Sequence, residues 1–133
     1  MSEEAEHIRA LPPLPPRQRD GHKGDYGRVL IVGGSRGMVG AVALAANASL
    51  RGGAGLATFA APETIQLAAA TLCPCATSVP LACDADGRLS AEAIRQFRQA
   101  AKAADVLAVG PGMATGARQQ DLVRAAIEQE KLP

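Results

Sequence analysis

Glycines that follow a short apolar segment are the residues of this sequence best suited to ligand chemistry. The apolar run Val29–Val32 leads into Gly33, Gly34, Gly37 and Gly40. Glycine has no side chain, so a ligand can lie directly against the backbone. In α/β proteins such ligands bind beyond the carboxyl ends of parallel strands, where backbone N–H groups at a helix N-terminus attract anions. The spacing therefore predicts a ligand-binding loop between a strand and a helix.

The spacing of these glycines excludes three common nucleotide-binding loops. A P-loop needs G-x-x-x-x-G-K-[ST], but the nearby lysine, Lys23, precedes the strand. The dinucleotide motif G-x-G-x-x-G needs two glycines two positions apart, and none of these four has that spacing. The short-chain dehydrogenase motif G-x-x-x-G-x-G has Val39 where its last glycine belongs, and Tyr26 is followed four residues later by Leu30 instead of lysine. Hydride transfer is therefore not predicted.

Length and composition predict one modest α/β domain. The 133 residues are 47% hydrophobic but only 2% aromatic, so the core must be built from Ala, Val, Leu and Ile. A formal charge of +1, with no basic run, disfavours nucleic-acid partners. The apolar stretches are too short to span a membrane, and the N-terminus is acidic (Glu3, Glu4, Glu6), unlike a signal peptide. We therefore expect a cytoplasmic protein with no membrane partner.

The three cysteines do not predict a metal site. Cys73, Cys75 and Cys83 match no strong zinc spacing, and no histidine lies near them. Free cysteine is among the most buried residue types. We expect these three to be small buried hydrophobic residues.

Strand and helix patterns alternate four times along the chain, which predicts a parallel sheet with right-handed crossovers. Residues 1–21 are expected to form a short helix over 3–10, stopped by Pro12, and a proline-rich lead-in; a proline-rich peptide ligand is the alternative. Residues 22–133 are expected to form the N-terminal part of a domain whose C-terminal part is missing, because a fifth strand should follow. The predicted strands cover 28–33, 56–61, 76–81 and 105–110. The first two predicted helices begin at Gly40 and Pro62, and the last two are capped by Ser90 and Thr115.

Side-chain patterns suggest how three of the predicted helices pack. The first helix, 40–51, is apolar nearly all round, which predicts burial against the sheet and against further chain or another subunit. In the third, one apolar stripe is expected to contain Ala91, Ile94, Phe97 and Ala101. In the fourth, Arg124 and Glu128 are spaced to pair.

Three polar residues have both structural and ligand-binding interpretations. Asn47, in the middle of the apolar first helix, is expected to bond a backbone carbonyl sooner than a substrate. Arg51 ends that helix, where a cation stabilises the helix dipole; a phosphate contact is the second interpretation. Arg36, in the glycine loop, either approaches a phosphate or faces water.

Three motifs in order carry a resemblance to a known family. They read H-K-G-D-Y-G-R-V-L-I-V-G-G-S-x-G-M-x-G-A, L-R-x-G-A-G-L and A-D-V-L-A-V-G-P-G-M, and the resemblance that they carry covers His22 to about Ala126. The sequence resembles the N-terminal half of the ADP/ATP-dependent (S)-NAD(P)H-hydrate dehydratases. This implies a ribokinase-like three-layer αβα fold with a mainly parallel sheet, truncated after about four βα units. It also implies a nicotinamide-cofactor repair enzyme, a lyase. We further expect a homo-oligomer, because the apolar first helix suits a subunit interface.

The resemblance implies the following chemistry. A nucleotide, ADP or ATP with Mg²⁺, phosphorylates the hydroxyl of the S-form hydrate, phosphate leaves, and NADH or NADPH is regenerated. Gly40 and Ala41 match the segment that lines the hydrated nicotinamide nucleotide; close helix–sheet packing is the alternative for this pair. Gly110 and Gly112 match the second substrate-lining loop; a turn at the strand end is the alternative. Lys23 is placed to reach a substrate phosphate, or is simply a solvated charge. An epimerase, fused or separate, is the implied partner.

The sequence also departs from this family. The family's catalytic aspartate lies in a G-x-G-D motif near the start of a later helix, which helps to hold the transferring phosphoryl group. The single Gly-Asp pair here, Gly24-Asp25, precedes the first strand, and the P-H-P-G-E loop and the adenine-binding segment are missing. No catalytic residue and no metal ligand is therefore predicted. Because phosphoryl transfer depends on such electrostatic groups, we expect this chain alone to be inactive.

Two other functions are compatible with the sequence. The first is another ribokinase-like kinase for a small molecule such as a hydroxymethylpyrimidine or a sugar, although the H-K-G-D-Y-G segment argues against a sugar kinase. The second is a non-catalytic nucleotide-binding or assembly module, which the apolar first helix would suit as a subunit interface.

Overall fold

The computed structural model describes residues 16–129, together with Ala10 and Pro13. The helix predicted over residues 3–10 and most of the proline-rich segment lie outside these residues. Within them, strands and helices alternate four times after a single 3₁₀ turn at Lys23–Tyr26. The strands are β1 (Arg28–Val32), β2 (Leu56–Pro62), β3 (Thr77–Leu81) and β4 (Val106–Val109), and the helices are α1 (Val39–Gly52), α2 (Glu63–Leu72), α3 (Ala91–Ala101) and α4 (Ala117–Ile127).

The four strands form one parallel sheet in the order β3-β2-β1-β4. The predicted parallel α/β fold is therefore confirmed. Val32, at the carboxyl end of β1, is level with Ala60 of β2 and with Val109 of β4. The loops that follow β1 and β4 consequently leave the same edge of the sheet side by side. This is the edge at which parallel sheets bind their ligands.

The helices cover both faces of the sheet and give a three-layer structure. Adjacent residues of a strand face opposite sides, and β1 shows this clearly. Leu30 packs in the core beneath α3 and α4, with Phe97 at its centre. Ile31 packs in the other core, beneath α1 and α2, with Phe59. Each core is thus built around one of the two phenylalanines of the sequence.

Three details of helix packing differ from the sequence-based expectation. In α3, Ala91 is exposed and Ala93 is buried in its place, because Ala93 shares a face with Phe97. Helix α4 begins after Gly116, one residue later than the predicted cap at Thr115. Glu128 pairs with Arg98 of α3 at 3.5 Å instead of with Arg124, since α3 and α4 lie side by side.

Burial confirms one expectation in part and corrects another. Helix α1 is buried on its sheet-facing side, through Val42 and Ala46, while Leu44 on its outer side is 70% exposed within this chain, so burial against further chain or another subunit stays a prediction. Of the cysteines, Cys73 is fully buried and Cys83 is half-buried, whereas Cys75 is exposed. Among the described helices, none is both long and apolar enough to cross a membrane.

Candidate functional site

The loops after β1 and β4 are joined directly by backbone contacts. The N–H of Gly34 donates to the carbonyl oxygen of Pro111 at 2.8 Å, and the Ser35 hydroxyl donates to the carbonyl oxygen of Gly112 at 2.8 Å. A Cβ atom at Gly33 would collide with the same Pro111 oxygen. Glycine is therefore required at Gly33 for the two loops to meet.

The β4 loop also contacts the N-terminus of α1. Gly112 has a φ of +67°, a left-handed conformation that favours glycine. A Cβ atom there would lie 2.7 Å from the Cβ of Ala41 and 2.9 Å from the carbonyl oxygen of Met38. Gly112 and Ala41, which the family resemblance assigned to one site, are thus in contact.

Two of the predicted residues, Gly40 and Gly110, border open space. A Cβ atom at either position would meet no other atom within 4 Å. Close helix–sheet packing, the alternative considered for Gly40, therefore does not explain its glycine. Gly40 is half-buried and Gly110 is exposed with a φ of +120°. We call the area formed by Gly40, Ala41 and Gly110–Gly112 the glycine surface.

Lys23 lies at the opposite edge of the sheet from the glycine surface. It belongs to the 3₁₀ turn before β1, and a Cβ atom at Gly55, just before β2, would collide with its carbonyl oxygen. The length of β1, about 16 Å at ~3.3 Å per residue, separates the two edges. The structure therefore does not bring Lys23 together with the other predicted residues.

The turn that contains Lys23 also explains the Gly24-Asp25 pair. The N–H of His22 donates to Asp25 Oδ2 at 2.9 Å, and the N–H of Gly24 donates to His22 Nδ1 at 3.0 Å. Asp25 thus closes a capping box at the amino edge of the sheet, away from the glycine surface.

Two of the other polar candidates have protein partners. Asn47 Nδ2 donates to the carbonyl oxygen of Leu72 at 3.0 Å, as expected, and its Oδ1 accepts from Cys73 Sγ at 3.2 Å. Arg36 pairs with Asp86 at 3.6 Å. Arg51 is exposed in the last turn of α1, where its charge suits the helix dipole.

Within residues 16–129, no three His, Cys, Asp or Glu side chains converge on one point. No step below is therefore assigned to a metal ion or to the phosphates of a nucleotide.

Two residues at this edge of the sheet were not predicted from the sequence. Ser35 ties the β1 loop to Gly112, and the adjacent G-G-S sequence was the only signal for it. Gln119, in the first turn of α4, is buried and lines a narrow cleft together with Gly33 and Gly34. The burial of Gln119 could not be predicted from the sequence, because glutamine side chains are mostly exposed in proteins.

The fold is that of a parallel α/β protein, and its candidate site is lined by backbone at the carboxyl edge of the sheet. Residues 29–132 match the family model described as NAD(P)H-hydrate dehydratase. The chain therefore belongs to the NAD(P)H-hydrate dehydratase family. Its fold is also that of a ribokinase-like superfamily protein from Enterococcus faecalis, with a TM-score of 0.68 over 88% of this chain and 38% of that one, at 25% identity.

Individual relatives support this assignment. The chain is 41% identical over 120 residues to the bifunctional NAD(P)H-hydrate repair enzyme of Moorella thermoacetica, covering 90% of this chain and 23% of that protein. It is 34% identical over 117 residues to the ADP-dependent (S)-NAD(P)H-hydrate dehydratase of Listeria monocytogenes, covering 87% and 38%. The ADP/ATP-dependent NAD(P)H-hydrate dehydratase of Bacillus subtilis, co-crystallised with ATP/Mg²⁺, superposes with a TM-score of 0.62 at 27% identity, covering 87% and 38%. The chain thus spans less than two-fifths of each of these proteins.

Proposed function

We propose that this chain supplies the substrate-binding part of an enzyme that dehydrates the S-form of hydrated NADH or NADPH at the expense of ADP or ATP. The observation that carries the proposal is the glycine surface, where the ends of β1 and β4 meet the start of α1 in a member of this family. The nicotinamide end of the substrate would lie against Gly40, Ala41 and Gly112.

The role of this chain is to bind and orient the substrate. Gly40 and Gly110 leave room for a planar ring beside the backbone, because a Cβ atom at either would meet nothing within 4 Å. The hydrogen bonds of Gly34 and Ser35 to the β4 loop hold the two walls of the surface together. The base for phosphoryl transfer is not among these residues, since Asp25 is committed to its capping box. We therefore propose that this chain alone is inactive.

The variant Gly40→Leu tests the substrate-binding role. Leucine favours a helix, and the space beside Gly40 is open, so the fold should be retained. The added side chain would occupy the space proposed for the substrate. We expect the KM for hydrated NADPH to rise at least ~10-fold, equivalent to ~1.4 kcal/mol of binding energy. The measurement follows the return of nicotinamide absorbance with ADP or ATP, in the full-length protein that carries this chain.

Gly52→Leu is the matched control for this experiment. Gly52 lies in the same helix, and its Cβ position is equally open, but it is at the opposite end of α1. Its KM should equal that of the unmodified protein. Equal KM values for the two variants would contradict substrate binding at the glycine surface. If the unmodified full-length protein restored no nicotinamide absorbance, the dehydratase function itself would be contradicted.

We also propose that the protein is a homo-oligomer that associates through α1 and α2. Leu44 of α1 is 70% exposed, and Leu67 of α2 is 74% exposed on the same layer. The two helices carry one charge each, Arg51 at the amino edge of the sheet and Glu63 at the carboxyl edge. A two-fold axis perpendicular to these helices would place each Arg51 opposite the partner's Glu63.

Two further parts of the proposal concern partners and location. The relatives named as bifunctional repair enzymes support an epimerase, fused or separate, as the functional partner of this chain. A cytoplasmic location stays a prediction from the sequence.

A further inference from the structure

The chain between β3 and α3 forms a short hairpin over residues 82–90 at the carboxyl edge of the sheet. The N–H of Asp84 donates to the carbonyl oxygen of Arg88 at 3.0 Å. Asp84 Oδ1 accepts from the N–H groups of Asp86 and Arg88, both at 2.9 Å. The end of the hairpin is fixed in the core by Leu89, which is 6% exposed. The hairpin is therefore an ordered unit with its own hydrogen bonds.

This hairpin reaches across the sheet toward the glycine-rich loop that follows β1. Strand β2 lies between β3 and β1, so the hairpin must pass over the end of β2. It rests there on the start of α2, where a Cβ atom at Gly87 would lie 3.3 Å from Thr64 Oγ1. Gly87 lines the same narrow cleft as Gly33 and Gly34 of the β1 loop. The hairpin and the β1 loop are thus neighbours.

One ion pair joins the hairpin to the β1 loop. Arg36 Nη1 lies 3.6 Å from Asp86 Oδ1, and the side chains of this pair are 66% and 62% exposed. The second carboxylate oxygen of Asp86 lies 3.0 Å from Nη1 of Arg88, within the hairpin itself. Asp86 therefore stands between two arginines and uses one oxygen for each. Because the pair with Arg36 is exposed, its contribution is modest and is weakened by salt.

The tip of the β1 loop depends on this ion pair more than the rest of the loop does. The loop is bonded to the β4 loop on one side, as described above, but its tip consists of Arg36 and Gly37. The N–H of Met38 closes the turn at the tip by donating to the carbonyl oxygen of Ser35 at 2.9 Å. In the described part of the chain, the pair with Asp86 is the only polar contact that Arg36 or Gly37 makes with another element.

We propose that Asp86 is a positioning residue for the substrate site: by holding Arg36, it keeps the β1 loop in the conformation that the substrate meets at Gly40. This inference rests on the proposed function, because the site that it concerns is the glycine surface. Arg36 precedes Gly40 by only four residues. Glycine-rich chain loses much conformational freedom when it is ordered. A loop that is ordered before the substrate arrives lowers the cost of binding.

The Asp86→Asn variant tests the proposal in the full-length protein that carries this chain. It keeps the size of the side chain but leaves Arg36 and Arg88 beside a neutral group. We expect the KM for hydrated NADPH to rise ~2–5-fold, the range that exposed ion pairs contribute. The kcat should stay unchanged, because the bound substrate orders the loop again. An unchanged KM would overturn the role of Asp86, whereas an inactive unmodified protein would contradict the dehydratase function instead.

Glu128→Gln is the matched control. Glu128 of the segment after α4 pairs with Arg98 of α3 at 3.5 Å, so this ion pair also joins two elements. The Glu128 side chain is 67% exposed, close to the 62% of Asp86. The pair lies at the C-terminal ends of the two helices, at the amino edge of the sheet. Its KM should equal that of the unmodified protein. Equal rises in KM for both variants would show a general charge effect and overturn the proposal.

Salt dependence separates an electrostatic hold from a change of structure. The screening length falls from about 10 Å at 0.1 M to about 3 Å at 1 M ionic strength. The ratio of the KM of Asp86→Asn to that of the unmodified protein should therefore fall toward 1 as sodium chloride is raised. A ratio that does not change with salt would overturn the electrostatic role of Asp86.

A double variant shows whether Arg36 acts through Asp86 or touches the substrate itself. If Arg36 acts only through Asp86, the Arg36→Gln/Asp86→Asn variant should have a KM no higher than that of Asp86→Asn alone. A further rise of ~2-fold or more in the double variant would show that Arg36 binds the substrate directly, and this would overturn the positioning role.

Amide hydrogen exchange gives a readout that does not depend on activity. The N–H of Met38 closes the turn at the tip of the β1 loop, so its exchange reports opening of that turn. Without substrate, we expect it to exchange ~2–5-fold faster in Asp86→Asn than in the unmodified protein, and at an unchanged rate in Glu128→Gln. Equal exchange of Met38 in all three proteins would overturn the proposal.

Discussion

At the residue scale, one glycine decides whether the two loops of the glycine surface can touch. Gly33 faces the carbonyl oxygen of Pro111, and a Cβ atom there would collide with it. We predict that Gly33→Ala destabilises the protein by about 1–3 kcal/mol, the usual cost of overpacking a well-packed site. The loss should appear as a lower midpoint of urea denaturation with an unchanged m value.

Gly40→Ala is the control for this prediction, because its Cβ atom would enter open space. Alanine favours a helix over glycine, so the urea midpoint should stay the same or rise. If Gly33→Ala were as stable as Gly40→Ala, the contact between the β1 and β4 loops would not be important for stability.

The sequence predicted this group of glycines but not their individual roles. Gly33 and Gly40 stand in one motif, yet the first is packed against another loop and the second is open. The distinction depends on a segment remote in the chain: Ser35 and Gly112, which tie the two loops together, are 77 residues apart. The distance of Lys23 from the glycine surface could not be predicted either. Its motif directly precedes β1, but the length of β1 separates Lys23 from the glycines that follow the strand.

At the element scale, the end of α1 is fixed by the second of two adjacent glycines. Gly53 has a φ of +114°, and the N–H groups of Gly53 and Ala54 donate to the carbonyl oxygens of Leu50 and Ser49. This left-handed helix ending favours glycine. We predict that Gly53→Ala lowers the free energy of unfolding by about 1–2 kcal/mol, the cost of a left-handed conformation with a Cβ atom. Urea denaturation measures it.

Gly52→Ala provides the internal comparison. Gly52 is the last residue of α1, its φ is not left-handed, and a Cβ atom there would meet nothing. The free energy of unfolding should therefore stay constant or rise by up to about 1 kcal/mol. The reverse order of the two variants would contradict the left-handed helix ending.

The elements themselves were largely predictable. Each strand was placed within about one residue of its observed bounds, because glycine, proline and aspartate mark the ends of short apolar runs. The exact starts of the helices, which tertiary contacts determine, were not predictable. Threonine is a common helix cap, but α4 begins after Gly116 and not after Thr115. Ser90 occupies the N-cap position of α3, but its side chain makes no capping hydrogen bond. Propensity cannot show where tertiary packing makes a helix begin or how it leaves a capping side chain placed.

At the scale of the whole molecule, the two helical layers differ in the surface that they leave uncovered. Helices α1 and α2 expose leucines on a nearly uncharged surface, whereas α3 and α4 carry several ion pairs, among them Arg98–Glu128 between the two helices. Uncharged surfaces with exposed large apolar residues are typical of interaction sites. The sequence showed that α1 is apolar all round, but only the structure shows that its outer side remains open within the described chain.

This difference leads to a prediction for association. Lysine is a good helix former, so the Leu44→Lys variant should fold normally. In a two-fold dimer, each protomer would then place one positive charge at the centre of the proposed interface. We expect its dissociation constant to rise at least ~10-fold, since central apolar anchors contribute ~2 kcal/mol or more. Sedimentation velocity over a range of concentrations measures the change. Ile127→Lys is the matched control, because Ile127 is 80% exposed but lies on α4, in the opposite layer. If Ile127→Lys dissociates the oligomer and Leu44→Lys does not, association uses the α3–α4 layer and the proposed interface is wrong.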